Sequence, residues 1–208
     1  RSVMFLGNHE VQIESLLITI LASALTDTVT VTMANAKHER GWVGRLIRDM
    51  FGYPGVADPR NIIYFDKSDP GSMFELLESV REDVAARGSS LMVHAPGTRA
   101  VQAGQRVERI SSALLDLAVE LELPIVPVYF EGGLPVEPLE EGKLEFPVDQ
   151  TGQDYHFGSP ISPVELAGLP YAERRGHVLA AIHALAPAPA EVRPNPPRPA
   201  RVEAIKGL

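Results

Sequence analysis

The feature that most constrains the fold is an alternation along the chain. Short apolar or β-branched runs recur at Val3–Leu6, Thr28–Met33, Asn61–Phe65, Ser90–His94 and Pro124–Phe130. Between them lie longer segments with apolar residues at helical spacing. Val11–Leu25 is apolar over most of its surface. Ala36–Phe51 carries Trp42, Val43, Leu46, Ile47 and Met50 and stops at Gly52-Tyr53-Pro54. A helix from Ser68-Asp69-Pro70 to Gly88 presents Met73, Phe74, Leu77, Val80 and Val84. Arg106–Leu121 turns Ile110, Leu114, Leu117 and Leu121 inward, and a last helix spans Tyr171–Leu185. Lys143–Phe146 and Tyr155–Phe157 read as edge strands. Strands that alternate with helices need crossover connections, which make neighbouring strands parallel. The expected fold is therefore α/β, a layered domain whose mixed, mostly parallel sheet is flanked by helices.

That domain is expected over residues 1–186. From Pro187 the composition turns to repeated Pro-Ala and Pro-Arg, which reads as a polyproline-type linker or tail over 187–208. A core strand placed at the first residues is expected of a chain cut from a longer polypeptide.

Several function classes fall away on composition. The formal net charge of -8 in 208 residues argues against nucleic acid as a partner. The absence of cysteine removes disulfides, thiol nucleophiles and thiolate metal sites, and is compatible with a cytoplasmic protein. Leu16–Leu25, the longest apolar stretch, is too short to span a bilayer. Neither His9-Glu10 nor His38-Glu39 continues to a His-Glu-x-x-His zinc motif, and no Gly-x-Ser-x-Gly elbow occurs. No metal and no cofactor is expected.

The first candidate for chemistry is Asn8-His9-Glu10-Val11-Gln12-Ile13-Glu14. Placed on one regular helix, His9 and Glu14 would point roughly 140° apart at about 3.6 residues per turn. They meet only when His9 lies in the bend before the helix and Glu14 reaches back from its first turns. A carboxylate at that end is favoured by the helix dipole and is expected to stay ionised. Beside an imidazole it fixes the tautomer and raises the basicity, as a general base for a hydroxyl requires. The same residues are also compatible with a surface histidine and an unrelated helix glutamate. Gly97-Thr98-Arg99 follows a strand. There a glycine exposes backbone N–H groups, Thr98 adds a hydroxyl and Arg99 offers a fork suited to phosphate or carboxylate. Lys67, just past Phe65, is a candidate second cation for phosphate. His156, His177 and His183 are expected to be structural or at the surface. So is His94, although its position beside Gly97 lets it line a pocket.

The order of these pieces carries more than any one of them. Asn8-His9-x4-Glu14 is followed by Ala36-Lys37-His38-Glu39 with Trp42-Val43-Gly44. Tyr64-Phe65-Asp66-Lys67, Gly97-Thr98-Arg99 and Pro124-Ile125-Val126-Pro127-Val128 come next. Together they resemble the lysophospholipid/glycerophospholipid acyltransferases, the 1-acylglycerol-3-phosphate acyltransferases in particular, over most of residues 3 to about 130. The resemblance implies transfer of a fatty acyl group from a thioester, on acyl carrier protein or coenzyme A, to the hydroxyl of a lysophospholipid in phospholipid biosynthesis. It implies His9 as general base, Glu14 as its carboxylate, and Lys67, Gly97, Thr98 and Arg99 toward the acceptor. Pro127 falls toward the acyl side. The chain departs from the family pattern in four places. Glu14 replaces an aspartate, Lys67 an arginine, Pro96 a glutamate, and His94-Ala95 a Phe-Pro pair. An upstream helical segment of the family, often used for membrane docking, is absent, which fits a domain excised from a larger polypeptide, and peripheral membrane contact stays open. A domain of a multienzyme polyunsaturated-fatty-acid synthase is implied by similar architecture. A degenerate domain that binds acyl carrier or lipid without chemistry or serves as a structural module of a larger synthase, and a thioesterase using water as acceptor, stand as rivals.

Overall fold

The computed structural model describes residues 2–51, 59–66, 68–135, 138–139, 147 and 153–187. Lys67, the expected edge strand Lys143–Phe146, the stop at Gly52-Tyr53-Pro54 and the tail beyond Pro187 lie outside the described residues.

In chain order the elements are β1 (Met4–Gly7), α1 (Glu14–Thr26), β2 (Thr30–Asn35), a 3-10 turn (Ala36–His38), α2 (Trp42–Phe51) and β3 (Ile62–Phe65). They continue as α3 (Pro70–Arg87), β4 (Ser90–His94), α4 (Ser112–Glu120), β5 (Ile125–Glu131), β6 (Asp154–Phe157), α5 (Pro163–Gly168) and α6 (Tyr171–His183). The strands form one six-stranded sheet in the order β3-β2-β4-β1-β5-β6. β2 pairs parallel with β3 and with β4, and β6 closes one edge antiparallel to β5. The architecture is the mixed, mostly parallel α/β sheet expected from the alternation.

Two compact units divide the chain, one of Arg1–Met4 with Ser15–Val93, the other of Phe5–Glu14 with His94–Leu208. In the first, Val31, Leu91 and Met92 are buried with Ile18, Ile47, Leu76, Val80 and Val84. Buried Asn61 donates to the Thr30 carbonyl at 2.8 Å and to Ser23 Oγ at 3.2 Å, which supplies partners where the chain enters β3. α3 starts where its sequence signals put it. Asp69 accepts from the Gly71 N–H at 2.9 Å, Pro70 occupies the first turn, and Gly88 ends the helix at φ 67°. Its buried face runs through Leu76, and the expected Leu77 is only half-buried.

The expected helix Ala36–Phe51 is broken into two pieces. Asn35 caps a single 3-10 turn by accepting from the Lys37 N–H at 2.9 Å, and α2 begins only at Trp42. The chain doubles back so closely here that a Cβ on Gly44 would run into the Glu39 carbonyl. No continuous helix can follow that path.

In the second unit Phe5, Leu6, Val128, Phe130, Ile161, Leu166, Val178 and Ile182 are buried. Phe5 meets Phe157 edge-on at 6.2 Å. The expected helix Arg106–Leu121 starts six residues late, at Ser112. Val107 and Ile110 are both buried, and a spacing of three is met by an irregular segment as readily as by a helix. The inward residues of α4 are Leu115, Leu117 and Ala118 in place of Leu114. α5 is an addition. It is a six-residue helix with Ser162 accepting from the Glu165 N–H at 3.0 Å.

Candidate active site

All the residues described next belong to the second unit. β1 ends at Gly7, where a Cβ would lie 2.8 Å from the Val128 carbonyl oxygen and 3.1 Å from the Phe130 ring. Only glycine lets the chain pass that close to β5. Asn8 then continues the pairing with its side chain. Its amide nitrogen donates to the Phe130 carbonyl at 2.8 Å, and its amide oxygen accepts from the Phe130 N–H at 2.7 Å. The residue is 3% exposed. Asn8→Ala strips a buried N–H and a buried carbonyl of their partners, so an expected loss of about 2–4 kcal/mol follows, read from urea denaturation. An unchanged midpoint would show that the clamp is replaced by solvent.

The clamp delivers His9 to the open side of the turn. Its Nδ1 lies 2.6 Å from Glu14 Oε1, with the imidazole side chain 13% exposed and the carboxylate fully buried. Glu14 is the first residue of α1, three residues later than the expected helix start, so residues 8–13 form the bend that the spacing requires. Its Oε1 also accepts from the Glu10 N–H at 2.7 Å, and Oε2 from the Val11 N–H at 3.3 Å and from Gln153 Nε2 at 2.6 Å. With a carboxylate as partner, Nδ1 of His9 carries the proton and Nε2 keeps its lone pair.

The expectation that Glu14 stays fully ionised needs correction. Burial pushes its carboxyl up to about 7, against the opposing pull of His94 and of the Glu10, Val11 and Gln153 donors. Desolvation outweighs both the helix dipole and the hydrogen bonds.

His94, expected from the sequence to be structural or at the surface, though with a position beside Gly97 that lets it line a pocket, closes the site. Its ring stacks on that of His9 with centroids 3.8 Å apart and planes at 18°. Its Nδ1 donates to the Asn8 carbonyl at 2.6 Å and stands 3.8 Å from Glu14 Oε1. Burial lowers its pKa to about 3, with the neighbouring His9 adding to the effect, so the ring is neutral. His9, Glu14 and His94 offer three possible metal ligands within 4.8 Å. Lone pairs lie in the ring planes, however, and two nearly parallel stacked rings direct them side by side, away from a common point. The donor set fits a proton relay better than an ion.

Gly97 turns the chain after β4 at φ 64°, its N–H donating to the His94 carbonyl at 3.0 Å. Gly97 and Thr98 are exposed and Arg99 is half-buried. The loop is tied at both ends beside the dyad, since Ala95 N–H donates to the Gly7 carbonyl at 2.8 Å and Ala100 N–H to the His9 carbonyl at 2.7 Å. The structure thus brings Gly97-Thr98-Arg99 to the turn that holds His9. It does not do so for Pro127. That residue is buried, its carbonyl accepts from the Gly158 N–H at 2.9 Å, and it faces opposite to Val128 and Phe130, which lie one and three residues along β5.

Gln153 and Tyr155 were not singled out in the sequence. Gln153 bridges Glu14 and the Gly132 carbonyl, Tyr155 O–H donates to Gln153 Oε1 at 3.3 Å, and the Tyr155 ring meets Phe130 edge-on at 5.0 Å. The legible signal was alternation, which puts Tyr155 and Phe157 on one face of β6.

No protein-family model and no curated protein sequence matches the chain. Among solved structures it is similar to the crystal structure of the 1-acyl-sn-glycerophosphate (LPA) acyltransferase PlsC from Thermotoga maritima. The TM-score is 0.57 at 17% sequence identity, covering 89% of this chain. The chain has the PlsC fold. It spans 65% of the length of PlsC, and none of the helices among its described residues is long and apolar enough to cross a membrane.

Proposed function

We propose that the chain is an acyltransferase that moves a fatty acyl group from a thioester to the hydroxyl of a lysophosphatidic-acid-type acceptor. The observation that carries the reading is the 2.6 Å contact of His9 Nδ1 with buried Glu14, in a bend at the end of β1 on a PlsC fold. His9 Nε2 takes the proton of the acceptor hydroxyl as its oxygen attacks the thioester carbonyl. The tetrahedral intermediate collapses with cleavage of the C–S bond, and the departing thiolate takes the proton from the imidazolium. Glu14 stabilises that imidazolium while it lasts. Arg99, with Gly97 and Thr98 in the same loop and Lys67, holds the acceptor's phosphate so that the hydroxyl is aimed, and such positioning supplies much of the rate. Pro127 acts on the acyl side only through the shape of β5. The donor is acyl carrier protein or coenzyme A, and a place beside other domains of a larger synthase, or at a membrane surface, fits the same reading.

The test supplies a long-chain acyl thioester with lysophosphatidic acid, glycerol 3-phosphate or water as acceptor. Phosphatidic acid is the expected product. Free fatty acid in its place would mark a thioesterase. Binding of acyl thioester without turnover would mark a non-catalytic module, the outcome that proline at position 96 favours.

A further inference from the structure

We propose that His94 is a positioning residue, its ring serving as the wall that holds the His9 ring in line with Glu14. The inference rests on the acyltransferase reading for its kinetic consequence, though not for its geometry. An imidazole joined to its backbone by two rotatable bonds can swing away from a carboxylate, and a 2.6 Å hydrogen bond survives only if the ring plane is confined. Confinement on one face comes from His94, at stacking distance and nearly parallel. His94 is itself immobilised. Its Nδ1–H is committed to the Asn8 carbonyl at 2.6 Å, and the Phe130 ring lies at 5.5 Å, tilted by 42°. Asn8 and Phe130 are in turn locked to each other by the reciprocal amide clamp. The wall therefore stands on β5 and not on a loose side chain.

Why the wall is a histidine follows from the same contacts. Any flat ring would confine His9, but the buried Asn8 carbonyl needs a donor, and a phenyl ring has none. A basic residue would ordinarily compete with His9 for Glu14. This one stays neutral because burial disfavours its charge, so Glu14 is left to His9. Ring and donor are separate properties and can be removed separately.

His94→Phe keeps the flat ring and loses the donor. His94→Asn keeps a donor nitrogen at the same distance along the side chain and loses the ring. In the acyl-transfer assay His94→Asn is expected to lower kcat about 10- to 100-fold with KM little changed, while His94→Phe retains most of the turnover and is the less stable protein in urea. His94→Leu, which lacks both ring and donor, covers the case in which the asparagine variant does not fold, and it should fall with His94→Asn. Proton NMR supplies a reading independent of turnover. The hydrogen-bonded Nδ1–H of His9 should give a far-downfield resonance in the wild type and in His94→Phe, lost to exchange in His94→Asn and His94→Leu. Equal kcat and equal resonances in the phenylalanine and leucine variants would overturn the proposal. A wild type that transfers no acyl group would overturn the acyltransferase reading alone, because the resonance still reports whether His94 holds His9.

Discussion

Replacing His9 with alanine is expected to lower acyl transfer by at least about 10³-fold while the protein stays folded. In the proposed mechanism the loss is large because the imidazole both accepts the hydroxyl proton and returns it to the thiolate, and among the described residues no other exposed base lies beside Glu14. The fold should survive for reasons specific to this site. The His9 side chain reaches solvent, and its backbone carbonyl keeps the Ala100 N–H. Glu14, deprived of the imidazole, still accepts from Glu10, Val11 and Gln153. Glu14→Gln is the companion variant. It leaves a base in place but removes the charge that stabilises the imidazolium, and sets an amide N–H against one of the donors that the carboxylate now satisfies. Turnover should fall about 10²- to 10⁴-fold. Steady-state kinetics with circular dichroism on each variant decides the matter. A His9→Ala protein that still turns over at a tenth of the wild-type rate would remove His9 from the chemistry altogether.

How far the sequence could be read depended on the range of each interaction. The strands that define the sheet were legible because their β-branched and apolar runs are local, and Ser90–His94 falls within its observed limits. So were the ends of α3, since Asp69, Pro70 and Gly88 each act on their own backbone. Boundaries failed where the deciding contact was remote. Arg106–Ser111 has the spacing of a helix yet lies outside α4, with Val107 and Ile110 buried in the second unit. The helix α5 carried the Ser162-Pro163-x-Glu165 capping signature, but six residues are too few for a period to show.

The site divided along the same line. His9 and Glu14 are close in sequence, and the requirement for a bend between them could be worked out from helix geometry. His94, at a sequence separation of 86 from the Asn8 carbonyl it bonds, and Gln153, 139 from Glu14, could not. Nor could the burial that shifts Glu14. A dipole argument reads only the helix end, whereas desolvation depends on everything packed around the carboxylate.

The second large effect concerns Glu10, next to His9 yet outside the mechanism. It is 2% exposed, and one of its carboxyl oxygens has no hydrogen-bond partner among the described residues. Burial, then the charges of Glu14 and Glu131, push its pKa up to about 9 in spite of a backbone hydrogen bond from Gly104. The folded protein thus holds a proton on Glu10 that the unfolded chain has released above its ordinary value of 4.5. Stability must then fall as pH rises through that window, by about 1.4 kcal/mol per pH unit for one proton. Glu14 adds a like slope, but only up to about 7. His94, with its pKa lowered to about 3, acts in the opposite direction and only below the ordinary histidine value of 6.5. The raised Tyr129 and Tyr155 begin to count only above 10. Between pH 7 and 9, Glu10 is left as the main contributor among these groups. Urea denaturation at pH 7, 8 and 9 should show that slope in the wild type. It should be nearly flat in Glu10→Gln, whose neutral amide has the shape of the protonated acid. By pH 9 the variant should be the more stable protein by about 2 kcal/mol or more. Equal slopes in the two proteins would mean that Glu10 is ionised at neutral pH, and that the turn carrying His9 tolerates two buried negative charges.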